Sequence, residues 1–142
     1  GTIHSKLNLP IKPDSIELYR PLEEPEWNVY YDGSSEPSHS LYSMKALQTR
    51  DQYRVFLDGN HAGQRLKILP SHLKKLLILK DSYAHSFAPF AALHFGETHM
   101  VDLRYFNGKI SSFIREQGIT DLLILYHMPG FMKDANISKL GW

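Results

Sequence analysis

The chain has 142 residues, 42% hydrophobic and 22% charged, enough for one globular domain that buries roughly 70% of its unfolded surface. Its formal net charge is +1 and its lysines and arginines are scattered among nearly as many acids, which argues against a basic face for nucleic acid or anionic lipid. Cysteine is absent, which excludes disulfides, thiolate metal sites and thiol nucleophiles, and no apolar run approaches the ~20 residues of a membrane span.

The sequence opens on Gly1-Thr2-Ile3 without a methionine or the charged-then-apolar pattern of a signal peptide, so a piece of a longer protein is expected. Residues 1 to 40 hold Pro10, Pro13, Pro21, Pro25 and Pro37 with Gly33-Ser34-Ser35, a breaker density that predicts an irregular segment with short strands. Within it, Trp27 to Tyr31 reads as a strand, aromatic and β-branched, closed by Asp32-Gly33 and suited to a sheet edge. From Ser40 to Arg50 the spacing of Leu41, Met44 and Leu47 predicts a short helix. Tyr53 to Leu57 reads as a strand ending at Asp58-Gly59-Asn60. Arg65 to Leu69 alternates as a half-buried strand, closed by Pro70.

The pattern then changes. Leu76 to Leu79 is an apolar strand, Phe87 to Phe95 a helix, and Met100 to Leu103 a second strand. A helix from Lys109 to Gln117, stopped by Gly118, leads to a third strand, Leu122 to Tyr126. This βαβαβ order predicts a three-layer α/β/α sandwich with a mostly parallel sheet, with Phe90, Leu93, Ile110, Phe113 and Ile114 facing inward and all three strands buried on both faces.

In an open parallel sheet, ligands bind beyond the carboxyl ends of the strands. Those ends carry Lys80-Asp81-Ser82, Arg104-Tyr105 and Tyr126-His127. Ser82, at the turn from strand to helix, has a nucleophile's position, although Asp81 or Ser82 as a plain helix cap is the simpler alternative. His127 is either a substitute base or a polar rim residue. Arg104, beside Asp102 on the strand end, either holds a substrate carboxylate or phosphate or is structural and paired internally. Trp27, Tyr30, Tyr31 and Trp142 either stack on sugars or fill the core. The eight histidines include His85, His94 and His99, which form no known ligand spacing, so no metal is expected. No cofactor motif is present, and the lack of a glycine-rich loop after the first of these strands argues against a nucleotide-binding, flavodoxin-like domain.

Several stretches resemble the bacterial DHHW family. These are Lys80-Asp81-Ser82-Tyr83-Ala84-His85-Ser86-Phe87-Ala88-Pro89-Phe90, Val101-Asp102-Leu103-Arg104-Tyr105-Phe106 and Ile119 to Tyr126. Upstream, Leu41-Tyr42, Asp51-Gln52-Tyr53 and Phe56-Leu57-Asp58-Gly59-Asn60-His61 resemble the same family, which extends the likeness from about Ser40 to Asp134. DHHW proteins are similar to SGNH-like acetyltransferases that modify alginate and other exopolysaccharides. The resemblance implies that residues 41–142 are the C-terminal part of an SGNH-like α/β domain, with Ser82 as nucleophile beside Asp81. It implies oxyanion donors at Gly59 and Asn60, although Gly-Asn is also a common turn pair. The family's Asp-x-His motif is absent here, and His85 and Asp58 stand where asparagine and glycine are expected. The resemblance therefore implies a base in a missing N-terminal part of the same protein. An acylated polysaccharide or acyl donor is the implied substrate, a membrane-bound acyltransferase a possible partner, and the cell envelope or its exterior the location. A non-catalytic carbohydrate-binding or assembly module is the competing expectation.

Overall fold

The computed structural model describes residues 7, 10–12, 14–69 and 74–140; the expectations placed on Gly1, Pro13, Pro70 and Trp142 lie outside the described residues. The strands are β1 (Glu26–Tyr31), β2 (Gly63–Leu69), β3 (Lys75–Lys80), β4 (Glu97–Val101) and β5 (Asp121–Leu125). They form one sheet in the order β1-β2-β4-β3-β5. The pairs β3–β4 and β3–β5 are parallel, with Leu76 opposite Thr98 and Asp121, whereas β1–β2 and β2–β4 are antiparallel. The α/β class holds, but a mostly parallel sheet does not. The cause is β2, whose side chains alternate, with Gln64, Leu66 and Ile68 buried, in the manner of an antiparallel strand covered fully on one face.

Strand β3 is the spine. Leu76 and Ile78 point into one core with Trp27, Val29, Leu66 and Met100, which the short helix α1 (Ala88–Ala92) covers through Ala88 and Ala92. Leu77 and Leu79 point the other way, towards Val101, Leu103 and Ile110 of helix α2 (Ile110–Gln117), with Phe113 and Ile114 packed behind. A strand apolar on both sides must be covered on both sides, which produces the three layers. Each fully buried leucine of β3 contributes about 1.5–3 kcal/mol of transfer free energy. Helix α2 ends at Gly118, whose left-handed φ of 65° lets the chain turn out of the helix, as the sequence predicts.

Several expectations need correction. Residues 40–50 form only a 3₁₀ turn, Met44–Gln48, because the Ser38 and Ser40 hydroxyls bond nearby backbone groups in competition with a helix. Tyr53 to Leu57 is not a strand. It holds the 3₁₀ turn Gln52–Val55 and a single bridge from Phe56 to Tyr42, and the backbone then reverses through positive φ at Leu57 (54°), Asp58 (54°) and Gly59 (88°). The helix expected over 87–95 is shorter, confined to α1, and a separate 3₁₀ turn, Ser82–His85, precedes it. Phe90 lies 47% exposed near Tyr19 instead of inward. Strand β4 begins at Glu97, earlier than expected, because its polar residues are paired: His99 Nε2 lies 2.8 Å from Glu97 Oε1, and Lys67 lies 3.4 Å from the other oxygen. Leu122 and Ile124 are half exposed, not buried, since β5 is an edge strand with one face uncovered. After β5 come α3 (Met128–Lys133) and a 3₁₀ turn, Ala135–Leu140.

Candidate active site

Strand β3 delivers Ser82 directly into the 3₁₀ turn Ser82–His85. Asp81 caps that turn, its Oδ1 accepting from the Tyr83 N–H at 2.9 Å. Its Oδ2 accepts from the His127 N–H, also at 2.9 Å, which ties the turn to the end of β5. Asp81 therefore fixes the turn through two backbone donors. The hydroxyl of Ser82 makes no hydrogen bond to any other described residue, while its carbonyl accepts from the Tyr53 hydroxyl at 3.1 Å. Tyr53 also reaches Ser86 Oγ at 3.4 Å.

Ser82 opens onto a cavity of about 860 Å³. Its walls include Tyr53, Arg54, Asp58, Gly59, Asn60, His61, Tyr83, His85 and Ser86. The loop at 57–59, with three consecutive positive φ values, is the kind of strained backbone that concentrates at working sites. The Gly59 N–H is engaged with the Phe56 carbonyl at 3.1 Å, and its own carbonyl accepts from Gln64 at 3.1 Å. Asn60 is exposed at the mouth. Of the residues that the sequence singles out, the cavity unites Ser82, Gly59 and Asn60.

The others stand outside its wall. Arg104 grips the fully buried Asp102 with Nε at 2.9 Å and Nη2 at 2.6 Å, and that carboxylate raises the guanidinium further above its ordinary value. Arg104 is thus paired internally. Tyr105 borders a second cavity, with Tyr30, Asp32 and His99. The Tyr126 hydroxyl is buried without a described partner, and burial raises it to about 12. The His127 ring stacks on Tyr83 at 4.7 Å.

Two polar pairs escaped the sequence. The first is His61 with Asp32: Nδ1 lies 2.6 Å from Asp32 Oδ2, and Nε2 lies 3.8 Å from Asp58 Oδ2. Burial pushes the Asp32 carboxyl up, but hydrogen bonds from His61 and the Gly63 and Ala62 N–H groups outweigh it and hold it below the usual range. These residues are 29 apart in sequence, and only the β1–β2 register, with Tyr31 opposite Gln64, brings them together. The second pair is Lys80 with His85, both buried, with Nζ 2.8 Å from Nε2. Lys80 also lies 3.9 Å from Asp102 Oδ2. Burial pulls Lys80 down to about 8 against the raising effect of Asp102, while burial and the neighbouring ammonium pull His85 down to about 3. The available signal was a lysine ending an apolar strand, an unusual charge at a central position.

The chain is similar to a DHHW family protein. That structure, from Eubacterium siraeum, matches with a TM-score of 0.74 and 25% identity over 89% of this chain and 43% of its own. Two structures of Bacillus cereus PatB1, one with a sulfonyl adduct, match 59% of this chain with TM-scores of 0.52 and identities of 22% and 23%. They cover 29% and 28% of PatB1 and show a shared fold. The chain therefore spans less than half the length of the DHHW protein it resembles. No family profile and no curated protein matches the sequence.

Proposed function

We propose that this chain is the C-terminal, nucleophile-bearing part of a DHHW family, SGNH-like serine esterase or O-acyltransferase acting on acylated polysaccharide of the cell envelope or its exterior. The observation that carries the proposal is Ser82: a hydroxyl without a described partner, at the carboxyl end of a parallel strand, on a turn fixed by Asp81 and open to a large cavity. A hydroxyl so placed can attack an acyl carbonyl once a base removes its proton, giving an acyl-enzyme that water or a sugar hydroxyl resolves. With the Gly59 N–H committed to its turn, Asn60 is the better candidate for an added oxyanion donor. No described histidine is hydrogen-bonded to the Ser82 hydroxyl, so the base is assigned to the part of the protein upstream of these residues. A membrane-bound acyltransferase that supplies the acyl group would be a natural partner.

The test uses the intact protein with its upstream residues. Ser82→Ala is expected to lower turnover of a small activated acetyl ester by about three orders of magnitude. The 142-residue chain alone should stay near the background rate. If the intact protein retains acetylated polysaccharide with either residue at position 82 and never turns over an ester, the non-catalytic binding module replaces the enzyme.

One observation favours a second assignment of the base. His61 shares the cavity with Ser82 and is oriented through Nδ1 by a carboxylate, the arrangement of a catalytic histidine. Its Nε2, however, faces Asp58. With an upstream base, His61→Gln keeps most of the ester turnover; a loss as deep as that of Ser82→Ala makes His61 the base.

A further inference from the structure

Ser82 and His85 stand three residues apart on one 3₁₀ turn, whose period places such side chains on the same side. Both line the cavity. The His85 ring is held from behind, since the Lys80 Nζ lies 2.8 Å from Nε2 in a site where both residues are buried. Beside an Asp102 carboxylate at 3.9 Å, Lys80 remains an ammonium at neutral pH, with a value of about 8. An ammonium only donates, so Nε2 must accept and the ring proton must sit on Nδ1. Nδ1 has no hydrogen-bond partner among the described residues. A buried donor without an acceptor is costly, and such a group calls for a partner that the free protein lacks.

We propose that His85 acts as a neutral hydrogen-bond donor, through Nδ1, to the acyl oxygen of the substrate at Ser82, with Lys80 and Asp102 as the positioning residues that set its tautomer. The proposal rests on the assignment of Ser82 as nucleophile. When Ser82 Oγ bonds to the carbonyl carbon, the π pair moves onto the carbonyl oxygen and the serine proton passes to the base. His85 lends that oxygen a hydrogen bond and keeps its proton. Collapse restores the C=O bond and expels the alcohol oxygen, which takes the proton back from the base. A histidine titrating near 3 is a poor base, and its uncharged N–H is a steady donor across the neutral range. The groups that act on its charge are Lys80, Asp102, His61 and Arg104, of which Lys80, His61 and Arg104 oppose protonation and Asp102 favours it.

The test has a spectroscopic arm and a kinetic arm. In the intact protein, ¹⁵N shifts should show His85 neutral and protonated on Nδ1 at about pH 6; an Nε2–H tautomer or a charged ring there overturns the proposal. A phosphonyl fluoride that leaves a P=O oxygen on Ser82 should shift the Nδ1 proton downfield, and an unmoved resonance in a fully labelled sample also overturns it. In ester turnover, His85→Leu should lower kcat about 10²–10³-fold with KM little changed, the scale for losing one oxyanion donor. His85→Asn, which keeps a short amide donor, should recover much of that loss, and Lys80→Met should lower kcat by releasing the tautomer. Wild-type kcat in folded His85→Leu or His85→Met, while Ser82→Ala is inactive, sinks the donor and leaves the serine assignment standing. Full turnover in Ser82→Ala removes the serine assignment itself.

Discussion

Acid should expose the strained protonation state of His85. The ring is 1% exposed, and its folded-state pKa of about 3 lies far below the ordinary 6.5. Because the folded value is depressed, the unfolded chain takes up the proton first. Stability is therefore whole above pH 6.5 and falls as the pH drops towards 3. The loss is about 1.4 kcal/mol for each pH unit below 6.5, or about 3 kcal/mol by about pH 4.5. Against a typical stability of about 5–15 kcal/mol, that is a large fraction. His85→Asn removes the titrating ring but leaves an oxygen that Lys80 can bond. Urea titrations followed by circular dichroism, at about pH 7.5 and about pH 4.5, should show the wild type losing about 3 kcal/mol more than the variant. The carboxylates with lowered values, Asp32 and Glu97, weaken both proteins alike in that range and cancel in the difference. Parallel losses in the two proteins would show that His85 is not held neutral by burial and Lys80, and the tautomer argument would fail with it.

Two further outcomes follow from packing and backbone geometry. Gly59→Ala should cost more than the roughly 1–2 kcal/mol of a left-handed alanine, because at φ 88° its Cβ would stand 2.9 Å from Arg54 Cγ, whereas Gly33→Ala, at φ 79° with open space around it, should cost only the backbone term. Chemical denaturation of the two variants checks the order; equal costs would mean that Arg54 yields freely. Leu77→Ala, fully buried between the sheet and α2, should cost about 2–5 kcal/mol, and Leu122→Ala on the exposed edge strand under about 1 kcal/mol. A comparable cost at Leu122 would mean that the edge is covered in solution.

The core of the molecule could be read from local pattern because its strands are uniform. Leu76 to Leu79 and the run into Leu125 declare themselves by continuous apolar character, and Gly118 marks its helix end by chemistry. Strand β4 was less legible at its start because Glu97 and His99 lie against each other, 2.8 Å apart, in a pair that hydropathy cannot see. Residues 53–57 have the composition of a strand, but Leu57 and Asp58 take left-handed φ values that composition does not announce. The site divided in the same way. Ser82 and the 59–60 loop lie next to recognisable strand ends and could be named. Asp32 with His61 depends on strand register, and Lys80 with Asp102 on the parallel pairing of β3 with β4, so although Lys80 stands out at the end of an apolar strand, the local sequence marks neither pairing.

The buried charges bear on whether the site works as a catalyst or only as a surface. Lys80 and Asp102 are both fully buried, and their separation of 3.9 Å is longer than a good hydrogen bond. Desolvating two ions costs several kcal/mol each, and apolar residues of similar volume often serve stability as well or better. Arg104 satisfies Asp102 from the exposed side, yet among the described residues the Lys80 ammonium gains only that carboxylate and the His85 ring. Folding alone would not favour such an arrangement beneath the turn that carries Ser82. A surface that merely held a sugar would need exposed donors and aromatic faces, not an ammonium sealed beneath a histidine. What the cluster does supply is a fixed charge and a fixed tautomer one turn from a free serine hydroxyl, and a preoriented donor of that kind favours developing charge over a neutral ground state. On that ground the buried cluster behind His85 favours the proposed acyl transfer at Ser82 over passive binding, and Lys80→Met separates the two: a binding surface would keep its affinity, while an acyl-transfer site would lose rate.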